Sequence, residues 1–102
     1  MNVLSLITSA AAQTAAPQPT DDGVALVNPI NAADGRDEFI VQVDLTGTAT
    51  VRVFGKLATG LDWVQLGPDI SASGAYAFAR FPKVIAQVSA FTSGVVNVLA
   101  GI

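Results

Sequence analysis

Beyond residue 23, apolar residues recur at every second position, and no stretch there carries a 3.6-residue period. This spacing constrains the fold more than any other feature, because successive side chains of an extended strand point to opposite faces. In Glu38–Leu45, the residues Phe39, Val41, Val43 and Leu45 share one face. In Thr48–Phe54, Ala49, Val51 and Val53 are predicted inward, and Thr50 and Arg52 outward. Lys83–Phe91 sets Val84, Ala86, Val88 and Ala90 against Ile85, Gln87, Ser89 and Phe91. Gly94–Ala100 sets Val96 and Val98 against Val95, Asn97 and Leu99. The second face of these last two segments is half apolar, which predicts strands covered on both sides.

Turn signals punctuate the pattern at Asp34-Gly35, Thr46-Gly47, Thr59-Gly60, Gly67-Pro68-Asp69, Ser73-Gly74, Pro82 and Ser93-Gly94. Short strands broken every ~8–12 residues by such dipeptides indicate an antiparallel sandwich or barrel. Seven or eight strands are predicted, at 24–28, 38–45, 48–56, 61–66, 69–72, 75–81, 83–91 and 94–100. The last two read as a closing hairpin. The expected fold is all-β, a jelly-roll-like β-sandwich spanning residues 23–102.

Residues 1–22 read as a separate N-terminal arm. Pro17 and Pro19 bracket Gln18 and block a continuing helix, so the segment is either a short helix over Val3–Ala16 or an extended arm. Val3, Leu4, Leu6 and Ile7 are too apolar for a solvated tail, and a partner is expected to order them. The stretch is too short for the ~7–15-residue apolar core of a secretory signal and has no basic start. At the other end, Val84–Ile102 is interrupted by Gln87, Ser89, Thr92, Ser93, Gly94 and Asn97, which argues against a membrane helix.

Composition narrows the function. The chain of 102 residues is 51% hydrophobic and 13% charged, and every charged residue lies between Asp21 and Lys83. Its mean hydropathy is +0.52. So small a domain has more surface than core, and such a surface normally carries charge. Part of it is therefore expected to be covered by other protein, most simply in a homo-oligomer, with a trimer favoured over a dimer or pentamer.

No Cys and no His are present, so thiolate and imidazole chemistry is excluded. No enzyme activity, catalytic residue, metal or cofactor is expected. The oxygen-rich run Asn31–Glu38 lacks EF-hand spacing, and its Asp34-Gly35 suits a turn. Among the acids Asp37, Glu38, Asp44, Asp62 and Asp69, none sits beside a feature that would raise its pKa for glycosidase chemistry. Gly55-Lys56 lacks the rest of a phosphate loop. The basic residues Arg36, Arg52, Lys56, Arg80 and Lys83 never cluster, which disfavours nucleic acid.

The aromatic residues are the remaining interface candidates. Leu61, Trp63 and Gln65 share one strand face, and Asp62, Val64 and Leu66 the other. With Val64 and Leu66 as core, Trp63 lies at an outer face or rim, where it could anchor an interface; the opposite register makes it a core residue. Tyr76, Phe78 and Arg80 share a face of the next strand.

From Gly47 to Ile102 the chain resembles small β-sandwich virion proteins of tailed bacteriophages. The resemblance lies in Arg52–Lys56 (RVFGK), Leu61–Leu66 (LDWVQL), Ile70–Tyr76 (ISASGAY) and Val88–Val98 (VSAFTSGVVNV). It covers about half the chain and is one of pattern. It implies a structural protein of the virion: a capsid decoration, or cement, protein that binds the major capsid protein on the outer shell. The alternative is a head-fibre or tail-associated module that binds a receptor or glycan, for which Trp63 with Asp62 and Gln65 is a poor site.

Overall fold

The computed structural model describes residues 3–26 and 38–101. The segment Asn31–Asp37, with its Asp34-Gly35 turn and oxygen cluster, lies outside the described residues, as do the last residues of the strand expected at 24–28. Among the described residues there are eight strands and no helix. They are β1 (Val3–Ala10), β2 (Val24–Ala25), β3 (Glu38–Leu45), β4 (Ala49–Lys56), β5 (Val64–Ile70), β6 (Gly74–Ala79), β7 (Lys83–Phe91) and β8 (Val96–Gly101). The first sheet runs β1-β8-β3-β6 and the second β2-β7-β4-β5, with every pair antiparallel.

The pairings are nested. β4 pairs with β5, β3 with β6, β2 with β7 and β1 with β8, as in one long hairpin. Two further pairs, β3 with β8 and β4 with β7, complete the sheets. The alternating residues read from the sequence fill the space between the sheets: Phe39, Val41 and Val43 from β3, Ala49, Val51 and Val53 from β4, Val84 and Val88 from β7, and Val96, Val98 and Ala100 from β8.

Three expectations need correction. The chain does not divide at residue 22: Val3–Ala10 is a strand of the same sandwich, paired with β8, and Leu4, Leu6, Ile7 and Ala10 pack against the core. Nor do β7 and β8 form a hairpin, since they lie in different sheets. The segments 61–66 and 69–72 are largely one strand, β5, in which Gly67 at φ 68° and Pro68 form a bulge opposite Arg52. An edge strand tolerates that proline because its missing N–H faces no partner.

The connections Thr46–Thr48 (β3 to β4) and Thr92–Val95 (β7 to β8) cross between the sheets side by side. Thr46 N–H donates to the Val95 carbonyl at 3.1 Å, Thr48 N–H to the Ser93 carbonyl at 3.1 Å, and Val95 N–H to Thr46 Oγ1 at 2.8 Å. The end of the sandwich that holds these crossovers is rich in Ser, Thr and Gly, and its polar groups bond to one another. The opposite end carries the start of β1, the close of β8, the β6–β7 connection and the β4–β5 loop.

Candidate interaction surface

Residues 11–23 connect β1 to β2 and lie as a strap against the second sheet. Thr14 continues the β7 ladder where the two-residue β2 does not reach: its N–H donates to the Val88 carbonyl at 3.0 Å, and its Oγ1 accepts from Val88 N–H at 2.9 Å. Beneath the strap Gln87 is buried. On the face of β7 expected to be covered, the chain itself thus buries Gln87 but leaves Ile85 and Ser89 half-buried. The outward face of β8 is less covered still: Leu99 is exposed.

Lys56 fastens the far end of the strap. It sits at the end of β4, only 2% exposed, and its ammonium donates to the carbonyls of Pro19 at 3.0 Å and Asp21 at 2.7 Å. The same nitrogen lies 4.3 Å from the centre of the Trp63 ring, and the indole N–H donates to the Gln18 carbonyl at 2.9 Å. Two carbonyls and an aromatic face thus replace the water lost by a buried cation. Replacing Lys56 with Ala leaves both carbonyls without their donor, at about 1–3 kcal/mol each. Lys56→Ala is expected to lower the unfolding free energy by roughly 2–4 kcal/mol, seen as a fall in the urea midpoint, and to open the strap to proteolysis between Ala11 and Thr20, read by limited digestion and mass spectrometry.

The structure separates the sequence-predicted interface residues. Trp63 occupies the rim, half-buried just before β5, but its ring and N–H are engaged within the chain. Phe78 is a core residue, tilted against Phe39 with ring centroids 6.0 Å apart, and is not available to a partner. Tyr76, on the same face, is half-buried and donates its hydroxyl to the Ala72 carbonyl at 2.7 Å. Leu4, Leu6 and Ile7 are half-buried against the core, leaving Val3, 62% exposed, as the free apolar residue of β1. Val64, expected in the core, is exposed because it begins β5 at the end of the sandwich; Leu66 is buried as expected.

What the sequence did not reveal is where the exposed apolar residues gather. Val3, Ile40 and Leu99 lie on the outer face of the first sheet, and Leu57, Leu61 and Val64 lie in or beside the β4–β5 loop. Five of the six belong to the end opposite the crossovers, and Leu99, opposite Gln42, lies midway along its sheet. Leu57 is 68% exposed, and the Thr59-Gly60 turn between it and Leu61 was the only hint. On the outer face, Val3, Ile40, Gln42 and Leu99 line a shallow depression. It adjoins a groove of ≈ 470 Å³ lined by Ser5, Thr8, Gln42, Asp44, Asn97 and Leu99.

The groove carries one charged side chain, Asp44. The best-defined surface ion pair lies on the other sheet. Arg52 Nε donates to Asp69 Oδ1 at 2.9 Å, and Gln65 Nε2 to the same oxygen at 2.8 Å. These bonds, the Arg52 bond above all, hold the Asp69 carboxyl below the usual 3.8. A lowered native pKa favours folding above the ordinary carboxylate value, and the contribution fades as pH falls through the native value. An NMR titration of the Asp69 carboxyl is expected to give a midpoint below 3.8 that rises in Arg52→Gln.

Among the described residues no cluster of three or more potential metal ligands occurs, and no helix is long and apolar enough to cross a membrane. Compared with protein-family models, curated proteins and solved structures, the chain matches none.

Proposed function

We propose that the chain is a non-enzymatic structural subunit of a tailed-phage virion, a decoration protein that self-associates and bridges major capsid subunits on the outer shell. The nested strand order supports reading the sandwich as a jelly roll, an architecture used by viral capsid and lectin domains. Fold alone does not give function. The observation that carries the proposal is the polarity of the molecule: one end bonds its Ser, Thr and Gly groups to one another, and the other exposes five large apolar side chains, Val3, Ile40, Leu57, Leu61 and Val64. Large apolar side chains exposed at one end of so small a chain mark a place where other protein covers it.

Its action is mechanical. A subunit seated across a boundary adds its binding free energy to the work of separating the two neighbours, and apolar burial supplies about 25 cal/mol per Å². Leu57→Asp with Leu61→Asp changes only exposed loop residues, so the fold is expected to persist while retention on isolated shells falls at least tenfold, measured by co-sedimentation. Retention equal to that of the parent chain contradicts the proposal. The fibre-module reading draws support from the polar groove of the first sheet, whose Gln42, Asp44 and Asn97 suit hydroxyl-rich ligands. A glycan array distinguishes it.

A further inference from the structure

Among the described residues four strands terminate the two sheets: β1 and β6 in the first, β2 and β5 in the second. An edge strand presents unpaired N–H and C=O groups to any other strand, and proteins blunt it by shortness, charge, proline or bulges. Three of the four are blunted here. β2 has only two residues. β5 contains Pro68, Asp69 and a break in register. β1 shifts register twice and holds Ser9 at φ 48°. β6 has none of these devices: its sequence GAYAFA is uncharged and free of proline, and it pairs with β3 over six consecutive residues without a shift.

We propose that the free edge of β6 pairs antiparallel with β6 of a second copy, joining two first sheets into one continuous sheet. This rests on the reading that the chain self-associates, and it names the surface. Backbone pairing supplies affinity, but selecting a foreign strand requires side-chain pockets beside the edge. β6 offers none, because its outward residues are Ala75, Ala77 and Ala79, and Phe78 is committed to the core. A second copy brings a strand of matching length and neutrality, and the two-fold makes the contact self-complementary. Antiparallel pairing also sets the flanking Arg80 residues at opposite ends of the ribbon. Keeping Ala75, Ala77 and Ala79 on one face of the joined sheet requires a single residue on the two-fold; Tyr76 takes that place in the proposed dimer, so that Ala75 of one copy faces Ala77 of the other. The contact closes at two copies, where the sequence had favoured three.

The test uses the isolated chain of 102 residues, so its outcome is independent of whether the protein sits on a capsid. Light scattering from about 10 μM to about 1 mM, the range of weak small interfaces, is expected to rise from 10.4 kDa to twice that value. Ala77→Lys, at an exposed position, is expected to hold the mass at 10.4 kDa. The chain has no cysteine, so a mixture of Ala75→Cys and Ala77→Cys proteins provides a second measurement. Mild oxidation should yield a disulfide-linked dimer of the two, well above the level reached with Ser5→Cys as partner. A wild-type mass that stays at 10.4 kDa or reaches three copies, a folded Ala77→Lys protein that still dimerises, or crosslinking no better than the Ser5→Cys control would each overturn the proposal.

Discussion

Deleting residues 1–20 is expected to abolish cooperative folding rather than to release an arm from an intact domain. The deletion removes β1, whose Leu4, Leu6 and Ile7 are half-buried on the core, and leaves β8 as a bare edge. Full burial of such side chains is worth about 1.5–3 kcal/mol each, so half-burial of three gives roughly 3 kcal/mol. The same cut takes away Thr14 from the β7 ladder, the Pro19 carbonyl from Lys56 and the Gln18 carbonyl from Trp63. At about 1 kcal/mol per hydrogen bond, and more for the buried cation, these losses match or exceed the hydrophobic one. The sum approaches the ~5–15 kcal/mol that holds a domain of this size together. The measurement is urea unfolding followed by Trp63 fluorescence and circular dichroism. A sigmoidal transition in the shortened chain at the parent midpoint would show that β1 and the strap are dispensable.

Gly94→Ala is the point substitution expected to cost most. Gly94 has φ 88°, a conformation that L side chains rarely adopt, and a Cβ there would meet the backbone nitrogen of Gly47 and lie 2.6 Å from its Cα. The obstacle is backbone held by the hydrogen bonds of both crossovers, so it cannot swing aside as a side chain would. Strain of this kind costs about 1–3 kcal/mol, and forced overpacking adds ~1–3 kcal/mol. A loss of roughly 3–5 kcal/mol follows, seen as a large fall in the denaturant midpoint. Gly60→Ala provides the contrast: its φ is 87°, but a Cβ there would meet nothing within 4 Å. It carries the conformational cost alone, and equal losses at the two sites would refute the account of the paired crossovers.

The contrast between these glycines shows how far the sequence can be read. β3, β4, β7 and β8 were legible because a strand between two sheets must alternate; only the end of β7 breaks the period, where a register shift exposes Ala90, expected inward, and turns Phe91, expected on the other face, onto the core. Their partners were not legible. A Ser-Gly or Thr-Gly step looks the same whether the chain returns within a sheet or crosses to the other, and Thr46–Thr48 and Thr92–Val95 do the latter. β1 escaped notice for a different reason. Its pairing shifts between Ser5 and Ile7 and again before Ala10, so Leu4, Leu6 and Ile7 all reach the core side without sharing one parity. Lys56 gave no signal at all, since its burial depends on carbonyls of Pro19 and Asp21 more than thirty residues away. The interaction surface was half legible: low charge implied a covered region, but only the strand pairing placed Ile40 and Leu57 at the same end as Val3.

The central claim, that this apolar end seats the protein on a capsid, is tested most directly by electron cryomicroscopy of intact particles that contain the chain. The account predicts density for the sandwich on the outer shell, across a boundary between capsid subunits, with Leu57 and Leu61 facing the shell and the Gly47–Gly94 crossovers facing solvent. Density on a fibre or tail, or a sandwich seated by its crossover end, would contradict it.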